Sequence, residues 1–127
     1  MSLDDFLDGA HQRGRGLSAE ADAARWLADR GYRIVERNVE SPFGEIDLVA
    51  IDGDTLCFVE IKARRSRAYG GPLSAVTVRK QRRLTRCATA YLSRAAWDGP
   101  CRFDVLGMSA GDGAWRFELV RNAFLVT

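Results

Sequence analysis

The most constraining part of the sequence is the run Thr55–Ala63, which is rich in residues that favour β-strands and yet contains two charged residues. Side chains alternate between the two faces of a strand, so one face is predicted to carry Leu56, Phe58, Glu60 and Lys62. A buried charge is costly unless it is paired or bound to a metal ion. Because simple packing would favour Val or Thr at these positions, the pattern predicts a functional site on this face.

A turn signal joins this run to the strand-like segment before it and predicts a hairpin. Two registers are open: if Ile51 pairs with Leu56, Asp47 lies opposite Glu60, whereas if Ile51 pairs with Asp54, Asp47 lies diagonal to Glu60. Both registers put the two carboxylates on one face, where directly opposite Cβ atoms lie about 4.5–5.5 Å apart. Two carboxylates this close repel each other unless a cation lies between them.

The chemistry expected of such a cluster is metal-assisted hydrolysis of a phosphodiester. A hard ion such as Mg²⁺ takes one or two carboxylates and completes its shell with water and phosphate oxygens. Lys62, beside Asp47 and Glu60, could position or activate water or stabilise phosphate charge. The alternative is an ion-pair network of these three residues without metal. Glu45 falls on the same face and could join the site, although a solvent-facing strand start is the preferred interpretation.

Basic residues are concentrated in one stretch that contains no acid. Nine of them lie between Lys62 and Arg86, namely Lys62, Arg64, Arg65, Arg67, Arg79, Lys80, Arg82, Arg83 and Arg86. Such a block is typical of a surface that binds a phosphate backbone, and the alternative is a solvated helix face without a partner. The chain has 17 arginines and only two lysines, which suggests that Lys62 is needed as a lysine because arginine is effectively never deprotonated.

Composition excludes several other classes of site. His11 is the single histidine, and the three cysteines are widely spaced, so a sulfur-ligated metal or a Ser-His or Cys-His nucleophile is not expected. No GxGxxG or GxxxxGK[ST] motif is present. No apolar run approaches the length of a membrane span, and the acidic N-terminal residues do not resemble a secretory signal, so a cytoplasmic protein is expected.

The fold class indicated by hydrophobic periodicity is α/β or α+β, with a mixed central sheet flanked by helices. Residues 1–15 are predicted to be a flexible arm and residues 16–127 a single domain. The predicted order is α-β-β-β-α-β-β, with a helix from Ser18 to Gly31, strands at Tyr32–Arg37, Gly44–Ile51 and Thr55–Ala63, a helix over about Thr77–Ala96, and strands at Cys101–Met108 and Trp115–Asn122.

Several motifs resemble known nucleases. Asp47, followed after twelve residues by Glu60-Ile61-Lys62, resembles the PD-(D/E)xK signature of restriction-endonuclease-like enzymes, although Ile46 stands where that signature has proline. Over residues 16 to 124 the chain resembles the YraN family, which is similar to archaeal Holliday-junction resolvases. The segments that carry this resemblance are Gly44–Val49, Phe58–Arg64, Lys80–Leu84, Arg102–Val105 and Asn122–Phe124.

The resemblance implies a restriction-endonuclease-like core and a Mg²⁺- or Mn²⁺-dependent endonuclease acting on DNA, with branched or processed DNA as a candidate substrate. It implies a metal site of Asp47, Glu60 and the Ile61 carbonyl, with Lys62 as the catalytic lysine. Glu20 matches a first-helix glutamate that often completes such sites, and Lys80 begins a motif on the second helix that approaches them. Analogy with resolvases suggests a homodimer. The alternatives are a non-catalytic nucleic-acid-binding module on the same fold and a protein-interaction adaptor.

Overall fold

The computed structural model describes residues 13–64, 71–111 and 113–124. Its elements are helix α1 (Arg13–Asp29), strands β1 (Arg33–Ser41), β2 (Gly44–Asp52) and β3 (Thr55–Arg64), a short 3-10 helix (Pro72–Ala75), helix α2 (Val78–Ala95), and strands β4 (Cys101–Ala110) and β5 (Trp115–Phe124). This mixed α+β arrangement agrees with the predicted class and element order. No helix in the described part of the chain is long and apolar enough to cross a membrane.

Two boundaries differ from the sequence prediction by more than two residues, for identifiable reasons. Helix α1 begins at Arg13 and not near Ser18, so residues 13–15 of the predicted arm are helical, while residues 1–12 lie outside the described residues. The helix includes Gly14 and Gly16, which is possible because a helical glycine costs only about 1 kcal/mol. Strand β1 runs four residues beyond the predicted end, because the hairpin closes at the Ser41–Gly44 pair and the strand must reach that turn.

The five strands form one sheet in the order β1-β2-β3-β4-β5. The β1–β2, β2–β3 and β4–β5 pairs are antiparallel, and β3–β4 is parallel across the α2 crossover. In the β2–β3 hairpin Ile51 pairs with Leu56, which is the first of the two predicted registers. The pairing ends with Leu48 opposite Val59, so the next positions along the two strands are Asp47 and Glu60.

The helices cover opposite faces of the sheet and bury two separate apolar clusters. Helix α1 packs on the β3 face predicted to carry the odd-numbered residues, with a cluster that includes Ala23, Leu27, Cys57, Val59 and Ile61. Helix α2 packs on the other face, with a cluster that includes Leu84, Ala88, Tyr91, Phe58 and Phe103. The predicted division of β3 into two faces is therefore confirmed for these apolar residues, and the even-numbered positions face α2.

A buried polar network ties the α1 side of the sheet together. Asp104, only 1% exposed, accepts hydrogen bonds from the Tyr32 hydroxyl (2.7 Å), Arg102 Nε (2.9 Å) and the Asn122 backbone N–H (2.9 Å). Arg102 also pairs with Asp52 at 2.7 Å, and Arg121 Nε donates to the Tyr32 hydroxyl at 3.1 Å. Three hydrogen-bond donors replace the water that the buried Asp104 carboxylate has lost, so this network stabilises the fold.

Tyr32→Phe is predicted to lower the free energy of unfolding by roughly 1–3 kcal/mol, because Asp104 loses a donor inside the protein. Burial, and next the Asp104 carboxylate, raise the pKa of Tyr32 to about 12. A raised pKa contributes stability that is complete below the unfolded value near 10 and is lost as the pH rises toward 12. Urea denaturation of the wild type and of Tyr32→Phe at pH 8 and pH 11 measures this loss of stability. If the wild type and Tyr32→Phe lost equal stability between the two pH values, the assignment to Tyr32 would be contradicted.

Candidate active site

Asp47 is fixed where the β2–β3 ladder ends. Its Oδ2 accepts a hydrogen bond from the Ile61 backbone N–H at 2.7 Å, so the carboxylate takes the place of a backbone acceptor just beyond the last β2–β3 pair. The side chain is partly exposed but closely surrounded by protein. Because the backbone of β3 holds Asp47, its carboxylate has a defined position next to Glu60.

Glu60 is 8% exposed and faces α2, where it forms an ion pair with the ammonium group of Lys80. Lys80 lies in the first turn of α2, and Thr77 caps that turn by accepting a hydrogen bond from the Lys80 backbone N–H at 3.2 Å. The cap sets where α2 begins and therefore which residue of the helix lies above Glu60.

Lys62 lies two residues beyond Glu60 and is half-buried. Burial lowers the pKa of Lys62, and the adjacent Lys80 ammonium lowers it further, while the carboxylates of Glu60 and Asp47 act in the opposite direction. Four ionisable groups therefore meet at one point on the α2 side of the sheet, and we call Asp47, Glu60, Lys62 and Lys80 the carboxylate–lysine cluster. Its formal charge is zero when all four groups are ionised.

The two carboxyl groups of the cluster lie close enough for the charge of Glu60 to act on Asp47. Burial, followed by the charge of Glu60, raises the pKa of Asp47 well above its usual range, and the Ile61 N–H and Lys80 only partly oppose this. Two carboxylates so close to each other favour either a shared proton or an added cation. The site is thus suited to a cation that could approach both Asp47 and Glu60.

The donor set fits a hard divalent ion that keeps several waters. Among the described residues no group of three or more His, Cys, Asp or Glu side chains could hold a metal ion, so a closed cage of the zinc or calcium type is not formed there. Mg²⁺ is commonly bound through one or two carboxylates together with water and substrate phosphate, and Asp47 with Glu60 supplies that number. Participation of the Ile61 carbonyl stays a prediction.

The structure does not bring every predicted site residue to the cluster. Glu20 lies on α1, whose neighbouring residues Ala19 and Ala23 pack on the opposite side of the sheet, and no hydrogen bond or ion pair joins it to Asp47 or Glu60. Its predicted metal role stays a prediction from the resemblance. Glu45 is exposed, as the preferred interpretation of the sequence had it.

The predicted basic surface lies beside the cluster on α2. Arg79, Arg82, Arg83 and Arg86 are exposed, and Arg64 is partly exposed at the end of β3, whereas Arg65 and Arg67 lie outside the described residues. The first turn of α2 contains no acid, so its cations face the positive end of the helix dipole. That arrangement is unfavourable by itself and becomes favourable when an anion binds.

Two close contacts shape the surroundings of the cluster. Gly107, the β4 partner of Lys62, has no side chain, and a Cβ there would lie 2.6 Å from Pro72 Cγ. The 3-10 helix can therefore pack on the strand next to Lys62 and lead into Thr77 and α2. On the other side, the stem of Arg83 packs against Gly44 at the β1–β2 turn, where a Cβ would lie 3.2 Å from Arg83 Cδ.

The pairing of Lys80 with Glu60 was missed by the sequence analysis, which assigned Lys80 to phosphate binding and placed it near the site by resemblance alone. The available signal was the scarcity of lysine, because both lysines of this arginine-rich chain belong to the cluster. The Asp104 network was also missed. Its signal was an acid in an otherwise apolar strand, two residues from Arg102, which is the spacing that puts both side chains on one face.

Comparison with known proteins gives one consistent family. The model of the uncharacterised protein family UPF0102 matches residues 19–108, which includes all four residues of the carboxylate–lysine cluster. The UPF0102 protein STH1475 of Symbiobacterium thermophilum is 52% identical over 111 residues, covering 86% of this chain and 94% of the relative. A UPF0102 protein of Chlorobium chlorochromatii is 47% identical over 117 residues, covering 87% and 91%. One of Chromohalobacter salexigens is 46% identical over 112 residues, covering 88% and 91%.

Two substitutions of Asp47 separate its acceptor role from its charge. Asp47→Ala is predicted to destabilise the metal-free protein by roughly 1–3 kcal/mol, because the Ile61 N–H loses its acceptor. Asp47→Asn keeps an acceptor oxygen and removes a charge beside Glu60, so its stability is expected to equal or exceed that of the wild type. Urea denaturation in EDTA near pH 7 measures both, and equal stabilities for the Ala and Asn variants would refute the acceptor role.

Proposed function

Since the chain belongs to the uncharacterised UPF0102 family, which is also known as YraN, we propose that it is a Mg²⁺- or Mn²⁺-dependent endonuclease that hydrolyses phosphodiester bonds in nucleic acid, with DNA as the expected substrate. The observation that carries the proposal is the convergence of two carboxylates and two lysines beside a basic helix. The PD-(D/E)xK pattern found in the sequence coincides with this cluster.

The proposed fold assignment is a restriction-endonuclease-like core. It is supported by the topology, because an antiparallel hairpin carries Asp47 and Glu60 and the following strand pairs in parallel across a helix. The helix that makes this crossover also brings its first turn to the hairpin. A homodimer and branched-DNA specificity come from analogy with resolvases and stay predictions, as does a cytoplasmic location.

Each residue of the site has a proposed task. Asp47 and Glu60 would hold the metal ion, which when bound would supply a water of lowered pKa and neutralise phosphate charge. Lys62, half-buried next to them, would orient that water through its compact ammonium or amine group. Arg79, Arg82 and Arg83 would hold phosphates on either side of the scissile bond. Glu20 is left as a prediction because α1 lies on the other side of the sheet.

One observation favours a non-catalytic nucleic-acid-binding module as the second candidate. Lys80 already compensates the charge of Glu60, so the site is electrostatically balanced without metal. A protein that had lost activity could keep this balanced cluster and still bind nucleic acid through α2. Cleavage by the purified protein distinguishes the two functions.

Lys62→Arg is expected to lower the cleavage rate by about 10²–10⁴ while preserving folding and binding, because arginine retains the charge but not the compact, tunable ammonium. Glu60→Gln is expected to be inactive through weakened metal binding, which excess Mn²⁺ should partly restore. The assay uses linear, nicked, flapped and four-way DNA over a titration of Mg²⁺ and Mn²⁺. Metal should not restore the Lys62→Arg variant.

Two outcomes would change this proposal. Near wild-type cleavage by Lys62→Arg would mean that Lys62 supplies only charge, and the proposed mechanism would be wrong. A wild-type protein that cuts none of these substrates with either metal but still binds them would establish the binding module in its place. Melting temperature and binding of each variant are measured in parallel, so that loss of structure is not taken for loss of chemistry.

Binding by α2 is predicted to be strongly salt-dependent. Replacing Arg79, Arg82 or Arg83 with Ala should weaken binding to all DNA sequences similarly, and each change should reduce the slope of log affinity against log salt by about 1. Arg94→Ala is the matched control, because Arg94 lies at the far end of the same helix, is exposed and contacts Glu36 at 3.7 Å. Equal effects at Arg94 and Arg82 would argue against a localised interface.

A further inference from the structure

We propose that Lys80 is a built-in counter-ion of the Asp47–Glu60 pair, and that it must release Glu60 when a divalent cation binds there. The proposal rests on the metal site of the proposed function but concerns a step before any chemistry. It assigns Lys80 a role distinct from that of Lys62 and from that of the exposed arginines on α2.

The geometry shows why Lys80 acts on the carboxylates and not at the surface. Its ammonium forms an ion pair with Glu60 Oε2, and its side chain is 17% exposed while that of Glu60 is 9% exposed. The positive charge of Lys80 also stabilises the negative form of the Asp47 carboxylate. By contrast, its helix neighbour Arg79 is exposed, so the two adjacent cations of the first turn point to different environments.

A metal ion and the Lys80 ammonium cannot both be held closely by this pair of acids. Both need Glu60, and both gain from the charge of Asp47, so they compete for the same negative charge. When both are present they repel each other, and in a partly buried site this repulsion is weakly screened. Binding of a divalent cation is therefore coupled to departure of the ammonium.

The departure can occur without refolding the helix. The Thr77 cap fixes the backbone of Lys80, so only the flexible four-carbon side chain has to move. The side chain is not fully enclosed, and the neighbouring first turn carries Arg79 on the basic surface. A released Lys80 would thus join the cations available to phosphate, which makes the nucleic-acid surface more positive once metal is bound.

The test measures Mn²⁺ binding by calorimetry and thermal unfolding without nucleic acid. Lys80→Met keeps most of the aliphatic side chain and removes the charge. We expect this variant to unfold at a lower temperature than the wild type in EDTA, because the two carboxylates lose their counter-ion. We also expect it to bind Mn²⁺ about tenfold more tightly, because no resident cation has to leave. The increase in melting temperature caused by Mn²⁺ should therefore be larger for Lys80→Met than for the wild type.

The controls are Arg94→Met, which removes an exposed cation from the same helix, and Lys80→Arg, which keeps the charge in place. Both should bind Mn²⁺ no more tightly than the wild type. Unchanged or weaker Mn²⁺ binding by Lys80→Met would overturn the proposal, as would unchanged stability of that variant in EDTA. If neither the wild type nor Lys80→Met binds Mn²⁺, Lys80 is a permanent partner of Glu60, and the metal site falls with this proposal.

The outcome for the nuclease function is separate. If Lys80→Met binds Mn²⁺ more tightly and the wild type still cuts no substrate, the counter-ion role stands and the proposed nuclease activity falls. If the wild type cuts DNA while Lys80→Met shows no gain in Mn²⁺ affinity, the nuclease activity stands and the counter-ion role falls.

Discussion

The repulsion between the Asp47 and Glu60 carboxylates is the constraint on which the arrangement of the α2 side depends. The β2–β3 register places the two acids on neighbouring strands, and burial makes their charges costly. Two contacts partly compensate these negative charges: the Ile61 N–H donates a hydrogen bond to Asp47, and Lys80 pairs with Glu60. The ion pair requires α2 to begin at a fixed place, and the start of α2 in turn depends on the Thr77 cap.

The position of α2 is also determined from the far side of the cluster. A side chain at Gly107 would collide with Pro72, so the absence of one lets the 3-10 helix lie on β4 next to Lys62. From there only a short connection leads to Thr77 and the first turn of α2. A glycine in a strand normally weakens the sheet. Here it allows the close approach that brings Lys80 within reach of Glu60.

The strand face that carries the site and the pairing of its two acids could be predicted from the sequence, because strand periodicity is a local property. The alternation of Leu56, Phe58, Glu60 and Lys62 identified the face of β3, and the chemistry of paired acids identified Asp47 as the partner of Glu60. The Lys80–Glu60 contact could not be derived in this way, since it depends on where a helix eighteen residues later crosses the sheet. The start of α1 was also misjudged, because glycine weakens a helix without excluding it. Arg102, two residues from Asp104, could have been found from strand alternation, but Tyr32 and Asn122 lie far away in sequence and were invisible to local patterns.

Asp104 and Asp47 differ in how well their surroundings compensate a carboxylate. Asp104, on the α1 side, receives hydrogen bonds from Tyr32, Arg102 and the Asn122 backbone, so its buried oxygens are well supplied with donors. Asp47, on the α2 side, lies beside another carboxylate and has a raised pKa despite its bond from Ile61. Folding alone would be served by the first arrangement at both places. A divalent cation bound as proposed above would relieve the cost at Asp47.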